Sequence, residues 1–288
     1  MCRDASRFSG SYSTLVDRGA LGVIKIEVEE KYDGLSKRVW DCCVLMLQMI
    51  AHNTNLLERG GAINHAEPGG AYAIDLRGRN VVEIGAGCGL LSMAVRGLEL
   101  GGTVIATEYR DSITANLEAQ VKRNGSGVKV RKFDWFVPED VDGVMRGCDT
   151  VLMSDCTLTS ADSDSIVKCM VDLVVKSYVC KFEGRRGRGG SNFHTDAIVG
   201  YCNERDGTAS FLSSASTKFA MTSLECYHPS YGNCRGSSGS IGKERYGVVH
   251  MRIKWEELES RVGHRADAAK FKEFYDGQLE GLSVKKIS

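Results

Sequence analysis

From Asn80 onward, short apolar runs alternate with stretches whose apolar residues recur every three or four positions. Asn80 to Ile84, Thr103 to Thr107, Val128 to Phe133 and Thr150 to Met153 read as strands. Leu90 to Leu98, Asp111 to Lys122 and Asp164 to Val179 read as the helices that go with them. This alternation predicts parallel strands with helices on both faces, because right-handed crossovers return the chain to the same edge of one sheet. A doubly wound, Rossmann-like α/β fold follows. Past it the rhythm changes: Ala197 to Cys202 reads as a strand and Ala209 to Ala220 as a helix. Thr222 to Tyr227 and Tyr246 to Trp255 are then two strands joined by the Gly- and Ser-rich residues 230–243. Strand after strand without a helix predicts a C-terminal antiparallel hairpin on a mostly parallel sheet.

Before and after this core the signals are weaker. Residues 1–20 are polar and Ser-rich without a clear period, which predicts a loosely held arm. Val23 to Val28 reads as a short strand, and Val39 to Ile50 as a largely buried helix that opens at Trp40. Glu256 to Tyr275 predicts one charged amphipathic helix. Lys181 to Ser191, with Arg185, Arg186 and Arg188 among glycines, reads as a solvated loop, with an RNA-contacting patch as the sharper alternative. The expected organisation is an arm over 1–20, one domain over 21–255 and a helical extension over 256–288. A chain of 288 residues can bury one sizeable core.

Composition removes several function classes. The 37 basic and 37 acidic residues cancel, so no global field favours a polyphosphate and nucleic acid is a poor default partner. The 11 cysteines are odd in number and contain no Cys-x-x-Cys, and no secretory leader precedes them. Reduced thiols and a cytoplasmic location are expected. No run approaches the roughly 20 apolar residues that cross a bilayer, so no membrane partner is expected. Asn124-Gly125-Ser126 matches a glycosylation sequon and reads as a turn after a helix. The 6 histidines form no His-Glu-x-x-His, and no Gly-x-Ser-x-Gly elbow occurs, so zinc hydrolysis and serine-nucleophile chemistry lack support and no metal is expected.

The most informative segment is Val81-Val82-Glu83-Ile84-Gly85-Ala86-Gly87-Cys88-Gly89-Leu90, with glycines at alternate positions where a strand hands over to a helix. A side chain at any of these glycines would hold a ligand away from the backbone. Open α/β sheets bind ligands past the carboxyl ends of their strands, which is where this turn falls. A dinucleotide fingerprint is Gly-x-Gly-x-x-Gly with a pyrophosphate at the helix N-terminus. Here the spacing is Gly-x-Gly-x-Gly, and Glu83 stands two residues ahead. A carboxylate repels a pyrophosphate and suits the sulfonium and ammonium of S-adenosylmethionine. Glu108, at the end of the second strand, can accept hydrogen bonds from both ribose hydroxyls, and Asp134-Trp135 after the third offers an aromatic face for adenine or an ordinary core tryptophan.

Gly34 through Trp40-Asp41, Val82 through Leu90, Thr107-Glu108, Asp134-Trp135 and Ser154-Asp155 resemble, in order, the motifs of the family-16 methyltransferases. These are seven-strand protein-lysine methyltransferases. Val199 through Asp206 resembles that family's fifth strand and the turn after it, and the likeness spans about Val23 to Trp255. It implies a seven-strand sheet, S-adenosylmethionine as cofactor, and donor contact by Trp40, the Gly85-Ala86-Gly87 turn, Glu108, Trp135 and Ser154. It also implies a protein substrate such as a chaperone, ATPase or translation factor. Glu108 stands where the family usually has Asp. Leu158 stands where the family's acid-x-x-Tyr signature, here Asp155-Cys156-Thr157-Leu158, has its aromatic. Asp155 is the candidate catalytic residue, expected to guide and position a substrate ammonium rather than take its proton. A donor-binding scaffold without catalysis, or a methyltransferase acting on RNA or a small molecule, are the alternatives. The Asn- or Asp-Pro-Pro-aromatic motif of base methyltransferases is absent at Ser154-Asp155-Cys156-Thr157.

Overall fold

A computed structural model describes residues 9–19, 22–31, 35–58, 72–100, 102–137, 148–186, 194–224, 227–228, 232–233, 246–262, 268–278 and 284–286. The chain begins with the strands β1 (Ser9–Asp17) and β2 (Val23–Lys31), helix α1 (Asp41–Glu58), β3 (Tyr72–Ile74) and β4 (Val81–Ile84). Helix α2 (Leu90–Gly97), β5 (Val104–Glu108), α3 (Asp111–Asn124), β6 (Lys129–Lys132), β7 (Thr150–Ser154) and α4 (Ser160–Arg186) follow. Next come β8 (Asp196–Cys202), α5 (Thr208–Lys218), β9 (Phe219–Leu224) and the short pair β10 (Tyr227–His228) and β11 (Gly232–Asn233). The last elements are β12 (Tyr246–Ile253), α6 (Trp255–Val262), α7 (Ala268–Gln278) and β13 (Val284–Lys286).

Seven strands form the central sheet in the order β6-β5-β4-β7-β8-β12-β9. The strands from β6 to β8 pair in parallel, and β12 pairs antiparallel with both β8 and β9. This is the doubly wound sheet with a terminal antiparallel hairpin that the alternation predicts. Successive residues point to opposite faces, so Val81, Leu152, Ile198 and Val248 join one core with α1, α2 and α3, while Val82, Val151, Val199 and Val249 join another with α4 to α7. After β4 the chain builds β5 and β6 on one side and then crosses to β7 on the other. The carboxyl ends of β4 and β7 therefore frame the switch point where such sheets open a crevice.

Several boundaries differ from the sequence reading, each for a packing reason. Residues 9–17 are not a loose arm: they pair along their whole length with β2, and Val16 among them is buried, while residues 1–8 of the expected arm lie outside the described residues. Burying that side chain alone stabilises by about 1.5–3 kcal/mol. The edge of β2 is closed by α3 side chains. Asn124 accepts from the Glu27 N–H at 3.0 Å and donates to its carbonyl at 2.7 Å; Gln120 does the same for Glu29 at 3.2 and 3.1 Å. These amides replace a neighbouring strand.

The segment beginning at Lys181 is not wholly a loop. Helix α4 runs on to Arg186, because Lys181 is buried with its Nζ 2.7 Å from Asp149 and Phe182 packs edge-on to Phe271 with ring centroids 5.0 Å apart. The arginine side chains at 185, 186 and 188 fall outside the described residues. Helix α5 stops at Lys218, since Phe219 takes an extended conformation and buries its ring as the first residue of β9. The predicted helix over Glu256 to Tyr275 is two helices, α6 and α7. The extension then returns to the body through β13, which pairs antiparallel with β3.

Candidate active site

Beyond the carboxyl ends of β4, β5 and β7 lies a cavity of about 520 Å³. That size is within the range of small-molecule sites. Apart from Gly89, every site residue nominated by the sequence lines it: Trp40, Glu83, Gly85, Ala86, Gly87, Glu108, Asp134, Trp135, Ser154 and Asp155. Cys43, Cys156 and Leu158 line it too.

The turn after β4 forms its floor. Gly85 has φ +64°, a conformation that favours glycine, and a Cβ there would stand 2.7 Å from Cys156 Sγ and 3.7 Å from the Trp135 ring. Gly89 caps α2 in a left-handed conformation, and a Cβ there would fall 2.4 Å from Leu117 on α3.

Two acids flank the floor. Glu83 is buried, and one of its carboxylate oxygens accepts from the Ser92 N–H at 2.9 Å and from the Ser92 hydroxyl. Burial raises its pKa to about 7 against the lowering effect of those bonds. Glu108, at the end of β5, accepts from the Gly87 N–H at 2.8 Å and from the Tyr109 N–H at 3.3 Å. Burial likewise lifts its pKa, and the two backbone bonds oppose the shift. Its carboxylate is thus fixed beside the turn by the turn's own backbone.

Aromatic rings make one wall. Trp135 sits 6.2 Å from the Tyr109 ring and 6.1 Å from Phe136, while the Asp134 carboxylate accepts from the Phe136 N–H at 2.9 Å and holds the loop after β6. Trp40 lies just ahead of α1 rather than within it. Its carbonyl accepts from the Cys43 N–H at 3.0 Å and the Val44 N–H at 3.3 Å, so the helix entrance carries the indole to the cavity. Gly34 lies outside the described residues.

At the end of β7, Ser154 and Asp155 complete the site. Asp155 is held at φ +53°, uncommon for a non-glycine residue, and its N–H donates to the Gly200 carbonyl at 3.0 Å. Its carboxylate takes both arms of Arg205, at 3.1 Å from Nε and 2.7 Å from the terminal nitrogen. The acid expected to draw in an ammonium is therefore already matched by a guanidinium. Arg205 is the residue that sequence reasoning overlooked as part of the site: it lies 50 positions from Asp155, and no local pattern joins the two.

Two polar atoms at the cavity stand out. The Ser154 hydroxyl and the Trp135 indole N–H are buried, and neither has a hydrogen-bond partner within the described residues. Buried polar groups are normally paired, so both fit a missing polar ligand. Two acids, an aromatic wall and a glycine turn suit a cationic, adenosine-bearing molecule.

A doubly wound seven-strand sheet with a glycine turn at its switch point and an acid ending the next strand is the arrangement of an adenosine-cofactor site. The family model described as lysine methyltransferase matches residues 22–196, more than half of the sequence, and the chain belongs to that family. It is a methyltransferase, and its cofactor is S-adenosylmethionine. A search of curated proteins finds no match. Among solved structures, the chain is similar to precorrin-6y C5,15-methyltransferase from Geobacter metallireducens GS-15, at 12% identity and a TM-score of 0.40 over 61% of this chain and 80% of that one. It is also similar to a fibrillarin/NOP5P complex, at 15% identity and a TM-score of 0.44 over 80% and 94% of the two chains. A third is fibrillarin from Aeropyrum pernix in complex with S-adenosyl-L-methionine, at 11% identity and a TM-score of 0.37 over 61% and 66%. Among the described residues, no helix is long and apolar enough to cross a membrane.

Proposed function

We propose that the chain is a protein-lysine N-methyltransferase whose donor occupies the 520 Å³ cavity and whose acceptor amine enters beside Asp155 and Leu158. When bound, S-adenosylmethionine supplies an activated methyl group on a sulfonium, with a neutral thioether as leaving group. Glu108 would take the ribose hydroxyls, Trp135 the adenine edge, Glu83 the positive end of the donor, and the Gly85-Ala86-Gly87 turn the close backbone approach. Trp40, Asp134 and Ser154 would complete the shell.

The observation that carries the reading is the pair of orphaned polar atoms, Ser154 Oγ and Trp135 Nε1, on residues lining a cavity that two buried acids also border. The lysine assignment is supported by the family match. Burial pushes the thiols of Cys43 and Cys156 well above their usual pKa. Holding nucleophile and methyl at attack distance supplies up to roughly 7–11 kcal/mol in the best intramolecular cases, so the chain's task is chiefly orientation.

Tritiated S-adenosylmethionine incubated with the purified chain and a heat-treated cell extract tests this. The expected result is a labelled protein band whose modified residue, by mass spectrometry, is lysine. Label in RNA would replace the reading with nucleic-acid methylation, and donor binding without transfer would make the chain a scaffold.

A further inference from the structure

Arg205 does not border the cavity, yet it joins two residues that do. Its guanidinium lies 4.7 Å from the Trp40 ring centroid and forks onto both oxygens of Asp155. Trp40 leads into α1, Asp155 follows β7, and Arg205 stands in the turn between β8 and α5, so one planar cation ties together three segments that are distant in sequence. Planar geometry suits this double duty: the face stacks on an indole while the edge takes a carboxylate. The Asp155 side chain is 2% exposed, whereas that of Arg205 is 26% exposed, so the carboxylate's one described ionic partner reaches it from the outer side.

We infer that Arg205 is a positioning residue for methyl transfer: it neutralises Asp155, holds it in its left-handed backbone conformation at the acceptor side of the cavity, and keeps Trp40 in register with it. This rests on the reading of the cavity as a methyl-transfer site. An unmatched Asp155 would attract an ammonium and keep it protonated, which opposes attack by the amine. The pair therefore leaves the acceptor with carboxylate oxygens as hydrogen-bond acceptors but without their full negative charge. Other groups facing this corner are Cys156 beside Asp155, Cys202 and Tyr246 beside Arg205, and Glu83 and Glu108 across the cavity.

The test measures label incorporation into the methylated protein band at saturating S-adenosylmethionine, with donor affinity measured separately by calorimetry. Arg205→Gln should slow transfer by about 30-fold or more, the scale on which one partner of a buried, hydrogen-bonded charge pair acts. Adding Asp155→Asn to that variant removes the bared charge while keeping an acceptor oxygen, and should restore about tenfold of the loss. A merely structural contact predicts the opposite, with the double variant as slow as Arg205→Gln or slower. Transfer by Arg205→Gln within about threefold of the unmodified chain, or no gain in the double variant, overturns the inference. Should Arg205→Gln fail to fold by thermal melting, Arg205→Lys keeps the charge and loses the fork. It should then slow transfer by about tenfold, and an undiminished rate overturns the inference. If the unmodified chain itself neither binds the donor nor transfers label, the proposed function fails instead.

Discussion

Replacing Gly85 with alanine tests whether the cavity floor is shaped as described. The change has two separable costs. Gly85 holds φ +64°, and an L-residue in the left-handed region costs about 1–2 kcal/mol. The new methyl would also stand 2.7 Å from Cys156 Sγ, and overpacking of this kind costs about 1–3 kcal/mol. Gly85→Ala should thus destabilise by about 2–5 kcal/mol in total. In a Cys156→Ala background the sulfur is gone, and only the backbone share of about 1–2 kcal/mol should remain. Urea unfolding of the four proteins reads the coupling between the two sites as shifts in midpoint at constant slope. Equal costs of Gly85→Ala in both backgrounds, within about 0.5 kcal/mol, would show that the sulfur does not occupy the space above the turn.

Four further outcomes are expected. Glu108→Ala removes the acceptor of the Gly87 and Tyr109 N–H groups and of the proposed ribose contact, and should raise the Kd for S-adenosylmethionine by about 100-fold; calorimetry showing a change under threefold would remove Glu108 from the site. Glu83 releases its proton at 4.5 in its ordinary state and at about 7 when folded, so without donor its contribution is full below 4.5 and is lost as pH rises through about 7. That loss is on the order of 3 kcal/mol, and Glu83→Gln should flatten the stability profile over this window. A cationic donor favours the carboxylate, so its binding near pH 6 should expel a proton, seen as a buffer-dependent enthalpy that Glu83→Gln abolishes. Lys181→Met leaves Asp149 buried without its cation and should cost about 3–5 kcal/mol in urea unfolding, whereas a surface lysine would cost almost nothing.

The central sheet was readable because its inner parallel strands β4, β5, β7 and β8 are short apolar runs framed by helical periods, and burial on both faces demands that pattern, whereas the edge strand β6 is polar and exposed. The glycine turn and the acids around it were readable for a related reason: a ligand that approaches backbone restricts residue type over a few consecutive positions. What escaped detection depends on distant partners. In β1 the inward positions are Gly10, Tyr12, Thr14 and Val16, while Leu15 faces outward at 68% exposure, so no alternating apolar signal marks the strand. Lys181 looked like the start of a solvated loop because nothing near it reveals Asp149. The Asp155–Arg205 pair joins two turns that only the folded sheet brings together, and the packing of Leu117 over Gly89 is equally hidden because Leu117 lies on another helix.

The position of the bound donor tests the methyl-transfer assignment most directly. A crystal structure of the chain grown with S-adenosylhomocysteine should place that molecule past the ends of β4 and β7, with its ribose at Glu108 and new partners for the Ser154 hydroxyl and the Trp135 indole N–H. Electron density for the nucleoside at any other place, or a cavity that closes on its own side chains in its presence, would contradict it.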